Sequence, residues 1–260
     1  MIILFTSQNA ASMNIARKLI ANQDFRDIGE NRWERKGVRL IDTRAPTVLE
    51  VPADFETDCL LVLSAHRSKA PGRMLTAHVP GNWNEAGMGG DPRTLNIAAA
   101  SMLKILIQEL KKEGDRIGWP VSLEADHHGP TCRAPILFVE IGNGEDEWRD
   151  ELATEAVANA VAAGLDRYAK GERFETVFGV GGGHYPRMFT KLVLETPLAV
   201  GHILPKYAIE SLGEDTFRQA IEKNIEKVAK VLIAKEETNA GQKEKIKLFA
   251  EKTGMDWEMI

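Results

Sequence analysis

Histidines carry most of the chemistry that this sequence offers, and none of them falls in a predicted helix. The six occupy loops or strand ends, at His66, His78, His127, His128, His184 and His202. Four of the five loops that contain them begin within a residue or two of the carboxyl end of a predicted strand. Ligands of open α/β sheets bind in the crevice outside those ends. We therefore expect all of these histidines except His78 to meet in one cleft, although each taken alone is also typical of a solvated loop residue.

The doublet His127-His128 indicates a possible metal site. It follows Glu124 and Asp126, and neutral imidazole nitrogen suits Zn²⁺ while a carboxylate completes or orients a ligand set. The chain has no H-E-x-x-H motif and no paired C-x-x-C motif, and adjacent residues on a strand point to opposite faces. Spacing alone therefore leaves open how many of these side chains reach a metal.

Three consecutive glycines offer a second kind of site. Gly181, Gly182 and Gly183 follow an apolar strand and precede His184. Backbone N–H groups in such a segment are able to converge on a phosphate or on the oxyanion of acyl transfer. The alternative is a tight strand-to-helix turn with no role in binding.

Glu140 comes near the end of the apolar strand ILFVEIG. A carboxylate at that position is a candidate general base, or a group that orients a histidine. The alternative is a carboxylate held by nearby backbone N–H groups. The nucleophile motif G-x-S-x-G is absent, and nothing else in the sequence favours a covalent mechanism.

Charge is distributed unevenly over the chain. The formal net charge is −5, which excludes a protein that grips nucleic acid over its whole surface. Two long segments, 59–84 and 176–194, nevertheless contain no acidic residue. Their basic residues in the candidate cleft loops include Lys69, Arg73, Arg187 and Lys191. We expect these four to hold an anionic substrate, the alternative being ordinary solvated loop residues.

Hydrophobic patterning predicts strands alternating with helices, and hence an α/β fold with a mostly parallel sheet. The predicted strands are 2–6, one or two in 32–42, 59–63, 121–125, 135–141, 176–180 and 198–200. The predicted helices are 9–21, 94–112 with Thr94 as its N-cap, 145–163, one along the stripe from Phe217 to Leu232, and 243–252. The intervening segment 64–93 is interpreted as an ordered functional loop.

Length and composition favour one soluble catalytic domain over residues 1–260, with a helical C-terminal segment at about 214–260. The hydrophobic fraction of 43% and charged fraction of 27% are ordinary for a globular protein. No apolar run approaches the ~18 residues that span a bilayer, and the N-terminus lacks the basic region of a signal peptide. Two cysteines in 260 residues are typical of a reduced, cytoplasmic protein.

Several blocks together resemble the archaeal and plant type of D-aminoacyl-tRNA deacylase. They appear in the family's order from about residue 1 to residue 211, and several such blocks are more specific than any single motif. The blocks are Ser64-Ala65-His66-Arg67-Ser68-Lys69, Leu75-Thr76-Ala77-His78-Val79-Pro80-Gly81-Asn82, Asp126-His127-His128-Gly129-Pro130-Thr131, Glu140-Ile141-Gly142, Gly181-Gly182-Gly183-His184-Tyr185-Pro186 and Gly201-His202-Ile203.

The resemblance implies hydrolysis of the ester that joins a D-amino acid to tRNA, and it implies removal of glycine mischarged on tRNA as a second activity. It also implies zinc dependence and a three-layer α/β/α sandwich with a mixed sheet, similar to the phosphorylase/peptidyl-tRNA hydrolase group. Within that interpretation the metal ligands are drawn from His66, His127, His184 and His202. His128 or Glu140 then serves as base or orienter.

The glycine segment 181–183 would stabilise the oxyanion, and the four basic residues would contact tRNA. The expected partner is aminoacyl-tRNA, without DNA or a membrane, and the chain is expected to be a monomer.

Two other functions remain open from the sequence. A zinc peptidase or amidohydrolase on small substrates explains the histidines but gives the basic loops no role. A non-catalytic RNA-binding module explains the basic loops but leaves the histidines without one. Without bound metal, a His/Glu pair would activate water instead.

Overall fold

The computed structural model describes residues 1–50, 55–67 and 72–260. Its strands are β1 (Ile2–Phe5), β2 (Arg26–Gly29), β3 (Arg32–Arg35), β4 (Val38–Asp42), β5 (Leu60–Ala65), β6 (Met74–His78), β7 (Gly81–Asn82), β8 (Thr94–Leu95), β9 (Val121–Leu123), β10 (Ile136–Gly142), β11 (Glu175–Val180), β12 (Leu198–Leu204), β13 (Val228–Ile233) and β14 (Trp257–Met259). Its helices are α1 (Ala10–Asn22), α2 (Ala100–Ile117), α3 (Glu145–Trp148), α4 (Glu151–Ala169), α5 (Arg187–Glu195), α6 (Glu214–Glu222) and α7 (Ala240–Thr253). No helix in these ranges is long and apolar enough to cross a membrane.

The larger sheet has eight strands in the order β2-β3-β4-β1-β5-β10-β6-β9. Strands β4, β1, β5 and β10 run parallel, whereas β6 pairs with β10 in the antiparallel direction and β9 runs parallel to β6. The prediction of an α/β fold with a mixed, mostly parallel sheet is confirmed.

One face of this sheet is covered by helices. Residues at alternate positions of the central strands, such as Leu61 and Val139, pack with Leu106 of α2 and Val157 of α4 in one apolar cluster. The central strands are continuous apolar runs because both of their faces are buried. Their other face carries a smaller cluster with Phe138 that includes strand and loop residues only. The expectation of helices on both faces, as in a three-layer α/β/α sandwich, is therefore not met by the described residues of this sheet.

A second sheet of four parallel strands, in the order β12-β11-β13-β14, completes the fold. Phe178 of β11 and Val231 of β13 pack against Phe217 of α6 and Ile246 of α7. The sequence predicted one sheet; the strands are instead divided between this sheet, the larger one and the short β7–β8 pair.

The prediction of a wholly helical C-terminal segment is wrong. Helix α6 ends where the side chain of Asn224 donates to the carbonyls of Ala220 and Ile221. The following run, Val228–Ile233, forms strand β13 in the interior of the small sheet. Apolar residues every four positions fit a helix, but here β-branched residues and burial on both sides favour a strand.

Three other predictions of secondary structure also change. Thr94 belongs to β8 and Ala99 is the N-cap of α2. The helix predicted over 145–163 is two helices, because the Asp150 side chain caps a new helix by accepting from Ala153 N–H. The segment interpreted as a long loop contains β6, which the sequence left unassigned.

Candidate active site

Strand β6 brings one histidine onto the loop-covered face of the large sheet. Its antiparallel register sets His78 opposite Phe138 and Thr76 opposite Glu140. Side chains two positions apart on a strand share a face, so His78 and Glu140 are diagonal neighbours. His78 Nε2 lies 3.9 Å from Glu140 Oε1. This part of the site therefore lies on a sheet face, and only the adjoining residues come from strand ends.

Two buried carboxylates form the centre of the site. Glu140 lies on β10 and Glu124 follows β9 directly, and their exposed fractions are 3% and 1%. His66, which follows β5, places its Nδ1 3.1 Å from Glu124 Oε1 and 3.2 Å from Glu140 Oε2. His184 Nε2 lies 2.8 Å from Glu124 Oε2. Residues from four distant segments of the chain thus meet at two acids.

His66 is held from several sides. Its Nε2 lies 2.6 Å from Tyr185 Oη, and its backbone carbonyl accepts from the indole N–H of Trp148. Burial opposes protonation of His66, but hydrogen bonds and charge from Glu124 and Glu140 outweigh it and raise the pKa to about 11. The imidazolium thus neutralises part of the acid charge in the protein without metal.

The rings of the other three histidines of the cluster contact one another in tilted or edge-to-face arrangements. The ring centroids of His78 and His127 are 4.4 Å apart, and those of His127 and His128 are also 4.4 Å apart. Burial, followed by the charge of His78, lowers the pKa of His127 to about 2 and that of His128 to about 4. Both are therefore neutral imidazoles at pH 7, the form that binds a metal ion.

The tautomer of His127 follows from its partner. Its Nδ1 lies 2.9 Å from the carbonyl oxygen of Ala125, which only accepts, so Nδ1 carries the hydrogen. The free lone pair is then on Nε2, 3.5 Å from Glu124 Oε2. A histidine fixed in this way by a carbonyl is a typical arrangement for a metal ligand or a general base.

The donor atoms fit a zinc site. Three sets have their ligand atoms within 4.8 Å of one another, namely His78/His127/His128, His66/Glu124/His184 and His78/Glu124/Glu140. Both oxygens of Glu124 and both ring nitrogens of His78 are buried without a well-directed hydrogen bond within the described residues. Buried polar atoms are normally satisfied. These four face charged neighbours, Glu124 facing His66 and His184 and His78 facing Glu140, and their donor types are those that could hold a metal ion.

Two cavities that share three lining residues adjoin this cluster, and they are named here the carboxylate lobe and the aromatic lobe. The carboxylate lobe, of about 240 Å³, is lined by Ser64, His66, Arg67, Glu140 and His184. The aromatic lobe, of about 220 Å³, is lined by Trp83, Asn84, Asp126, Tyr207 and Ala208. The two lobes share Met88, His127 and His128. A substrate with two chemically different halves is therefore able to place its central bond at the histidines.

Comparison with known proteins identifies the family. Residues 53–258 match the family model for D-aminoacyl-tRNA deacylase. The chain is 34% identical to the D-aminoacyl-tRNA deacylase of Pyrococcus horikoshii and 32% identical to that of Thermococcus kodakarensis, in each case over 98% of both proteins. The chain belongs to the D-aminoacyl-tRNA deacylase family.

A solved structure agrees with this assignment in fold. The crystal structure of a conserved protein of unknown function superposes with a TM-score of 0.88 at 26% identity, covering 99% of this chain and 94% of that one. The deacylase-family chain described here therefore has the same fold over its whole length.

His202 does not join the deacylase-family cluster, which corrects its assignment as a metal ligand. It lies inside β12, and its Nδ1 is 2.6 Å from Asp126 Oδ2 while its Nε2 is 2.9 Å from the Lys223 carbonyl. Asp126 also accepts from Ile203 N–H. Both ring nitrogens are already engaged, so His202 fixes the loop that carries His127.

The glycine segment 181–183 allows the backbone to turn after β11. Gly181 has a φ of +122°, and an added Cβ would lie 2.8 Å from Ala234 Cβ. Its N–H donates to the carbonyl of Leu204, so this amide is not available to an oxyanion, contrary to the prediction. The turn returns the chain so that the His184 carbonyl accepts from Ala125 N–H. An oxyanion role for Gly182 and Gly183 stays a prediction.

The basic residues lie outside the cluster. Arg187 and Lys191 line a groove of about 390 Å³ that also includes Tyr185, the partner of His66. Arg73 is exposed and lies over the Trp119 ring at 5.5 Å. Lys69 lies outside the described residues. The groove is therefore linked to the carboxylate lobe through the hydrogen bond between Tyr185, which lines the groove, and His66, which lines the lobe.

Sequence reasoning overlooked two central groups. His78 was left out because it sits in what looked like a loop, and Glu124 was noted only as a neighbour of the histidine doublet. The signal that could have found both is a short strand-like segment. MLTA precedes His78 and VSL precedes Glu124, so each residue stands at the end of such a segment.

Proposed function

We propose that this chain hydrolyses the ester bond of D-aminoacyl-tRNA and releases the D-amino acid and free tRNA. The observation that carries the proposal is the convergence of Glu124 and Glu140 with five histidines in a cleft, in a chain of the deacylase family. Removal of glycine from mischarged tRNA is proposed as a second activity of the same site. A cytoplasmic location and a monomeric state stay predictions.

We propose zinc as the cofactor. The carboxylate oxygens of Glu124 and the ring nitrogens of His78 are buried without a well-directed hydrogen bond to any residue that the structure describes, and these donor types suit a cation. The ligands would come from His66, His127 and His184 together with these two residues. Zinc bound there supplies a Lewis acid for the ester carbonyl. His66 must lose its proton to bind, so metal affinity is expected to fall as the pH is lowered.

The protein's own groups have distinct tasks in this scheme. Glu140 would accept a proton from the attacking water, as proposed from its strand-end position, and this proton would pass to the ribose oxygen that leaves when the ester C–O bond breaks. Tyr185 holds the ring of His66 through its hydroxyl. His128, whose Nδ1 lies against the Gly129 carbonyl, keeps its Nε2 lone pair for the cleft and is the second candidate base.

Arg187 and Lys191 are proposed to contact tRNA phosphates in the groove beside Tyr185, and Arg73 and Lys69 to act likewise from the preceding loop. Such contacts position the substrate without reading its bases. The phosphorylase/peptidyl-tRNA hydrolase fold type also stays a prediction, supported by the mixed eight-stranded sheet.

Hydrolysis of D- and L-tyrosyl-tRNA, with and without a zinc chelator, tests the proposal. We expect hydrolysis of the D-form that is lost with chelator and restored by zinc. Cleavage of small peptides or amides but not of the tRNA ester would favour a zinc amidohydrolase instead. Binding of tRNA without turnover would favour an RNA-binding module.

A further inference from the structure

The aromatic lobe has features that the hydrolysis of an ester does not explain. It is bounded by flat side chains, Trp83 on its buried side and Tyr207 at its rim, and Tyr207 is 62% exposed. Exposed aromatic rings beside a cleft are suited to stacking on a nucleobase. Of the described residues that would hold the zinc ion, His127 alone lines this lobe.

The lobe also carries an unpaired donor and an unpaired acceptor. Trp83 is 4% exposed, and its Nε1–H finds no acceptor among the described residues. The Oδ1 atom of Asn84 is buried and likewise finds no donor there. Both residues line the lobe. Because buried polar atoms without partners are costly, a ligand that accepts from the indole N–H and donates to the amide oxygen would satisfy both.

The position of the aromatic lobe beside the histidines limits the choice of ligand further. Met88, His127 and His128 separate this lobe from the carboxylate lobe. An ester held at these histidines would extend its two halves into the two lobes. The carboxylate lobe has no Phe, Tyr or Trp among the described residues that line it. The aromatic lobe offers Trp83 and Tyr207, which suit a nucleobase and assign the nucleoside to this side of the histidines.

We infer that the aromatic lobe binds the adenine of the 3′-terminal nucleoside, which every aminoacyl-tRNA carries at its ester. This inference rests on the proposed function. The exocyclic amine of adenine donates to Asn84 Oδ1, a ring nitrogen accepts from Trp83 Nε1–H, and the ring stacks on Tyr207. The contact is common to all tRNAs, so it gives affinity without selecting the amino acid.

The segment 87–90, which carries Met88 and is named the flap here, is fixed by close backbone packing. Gly129 N–H donates to the Met88 carbonyl, and a Cβ on Gly129 would lie 2.3 Å from Gly90 N. The side chain of Asn82 donates to the carbonyls of Gly89 and Asp91. The wall between the two lobes is thus formed before any substrate binds, which lowers the ordering cost of binding.

Small esters test the inference without the rest of tRNA. The substrates are 3′-O-(D-tyrosyl)adenosine, its inosine counterpart and D-tyrosine ethyl ester, each measured as kcat/KM. Inosine presents a carbonyl where adenosine has the amine. We expect the wild-type protein to prefer the adenosine ester by about tenfold or more, since a lost partner leaves a buried polar group unpaired. Asn84→Ala should abolish that preference.

Tyr207 is tested by the same comparison. Tyr207→Ala should lower kcat/KM for the adenosine ester by about tenfold to a hundredfold relative to its effect on the ethyl ester, the range for loss of one base stack. Tyr207→Phe keeps the ring and should stay within about twofold of wild type, because only the ring is required for stacking. Trp257→Ala removes a partly exposed aromatic residue of β14 and serves as the control.

The inference and the proposed function fail in different ways. Equal rates on the adenosine and inosine esters, in a protein that hydrolyses D-tyrosyl-tRNA, would overturn only the adenine site. A wild-type protein inactive on D-tyrosyl-tRNA would overturn the function, and calorimetry with free adenosine and inosine then decides the site directly. Adenosine binding that Asn84→Ala weakens supports it, and equal or absent binding of both nucleosides refutes it.

Discussion

Replacing Glu124 with Gln distinguishes its proposed role as a zinc ligand from the role of general base, which is proposed for Glu140. The substitution keeps shape and removes one of the two charges that face His66, at 3.1 Å, and the one that faces His184, at 2.8 Å. In the zinc-free protein, loss of one acid should lower the pKa of His66 from about 11 toward its ordinary value, because only Glu140 remains to favour the imidazolium. Titration of the histidine ring signals by NMR measures this change.

The effect on catalysis follows from the same contacts. If Glu124 is a zinc ligand, the protein needs it to bind a stoichiometric amount of zinc. Loss of a group that only orients a ligand lowers metal affinity by ~10- to 100-fold, so Glu124→Gln should lower zinc affinity by at least that factor. As a general base, it should leave zinc bound and lower kcat by about 10²–10⁴-fold. Zinc content by metal analysis and single-turnover hydrolysis of D-tyrosyl-tRNA distinguish the two. Glu175→Gln, an exposed change at the start of β11, is the matched control. Unchanged kcat, zinc affinity and His66 titration in Glu124→Gln would refute the assignment of the site.

Three further predictions follow from individual contacts. His202→Ala should lower the free energy of unfolding by about 3–5 kcal/mol, as for a broken buried pair, while the folded protein keeps its zinc; loss of zinc at an unchanged urea midpoint would return His202 to the ligand set. Gly129→Ala should cost about 1–3 kcal/mol because its Cβ overlaps the Gly90 amide, whereas Gly87→Ala on the same flap meets no atom within 4 Å and should not lower the melting temperature; equal melting temperatures would contradict the flap packing. Arg187→Ala and Lys191→Ala should each reduce the slope of log K against log salt for tRNA binding by roughly 0.7–0.9, and unchanged slopes would move the tRNA path to another surface.

The sequence predicted the site where chain order and strand ends carry the information. His66 follows a predicted strand and Glu140 lies near the end of another, so their convergence depends only on these two strands being neighbours in the sheet. His202 shows the limit: it too seemed to follow a strand, but β12 continues through Leu204. Whether a short apolar run stops or continues depends on its pairing with distant strands, which local patterning does not contain.

Long-range pairing also explains the missed elements. Strand β6 has only five residues, and it is a strand because β10 and β9 flank it. The run that forms β13 fits a helical stripe in isolation and becomes a strand because β11 and β14 offer it partners on both sides. Both errors come from tertiary context that overrides local periodicity.

The most direct test of the account is the ratio of kcat/KM for D-tyrosyl-tRNA to that for L-tyrosyl-tRNA, measured with the zinc-loaded protein. We expect much faster hydrolysis of the D-form, since fixed contacts to the ammonium group, the side chain and the ester cannot all be met by the mirror arrangement. We also expect this hydrolysis to be lost in Glu124→Gln. Equal kcat/KM values for the two enantiomers, or full activity in the variant, would contradict the account.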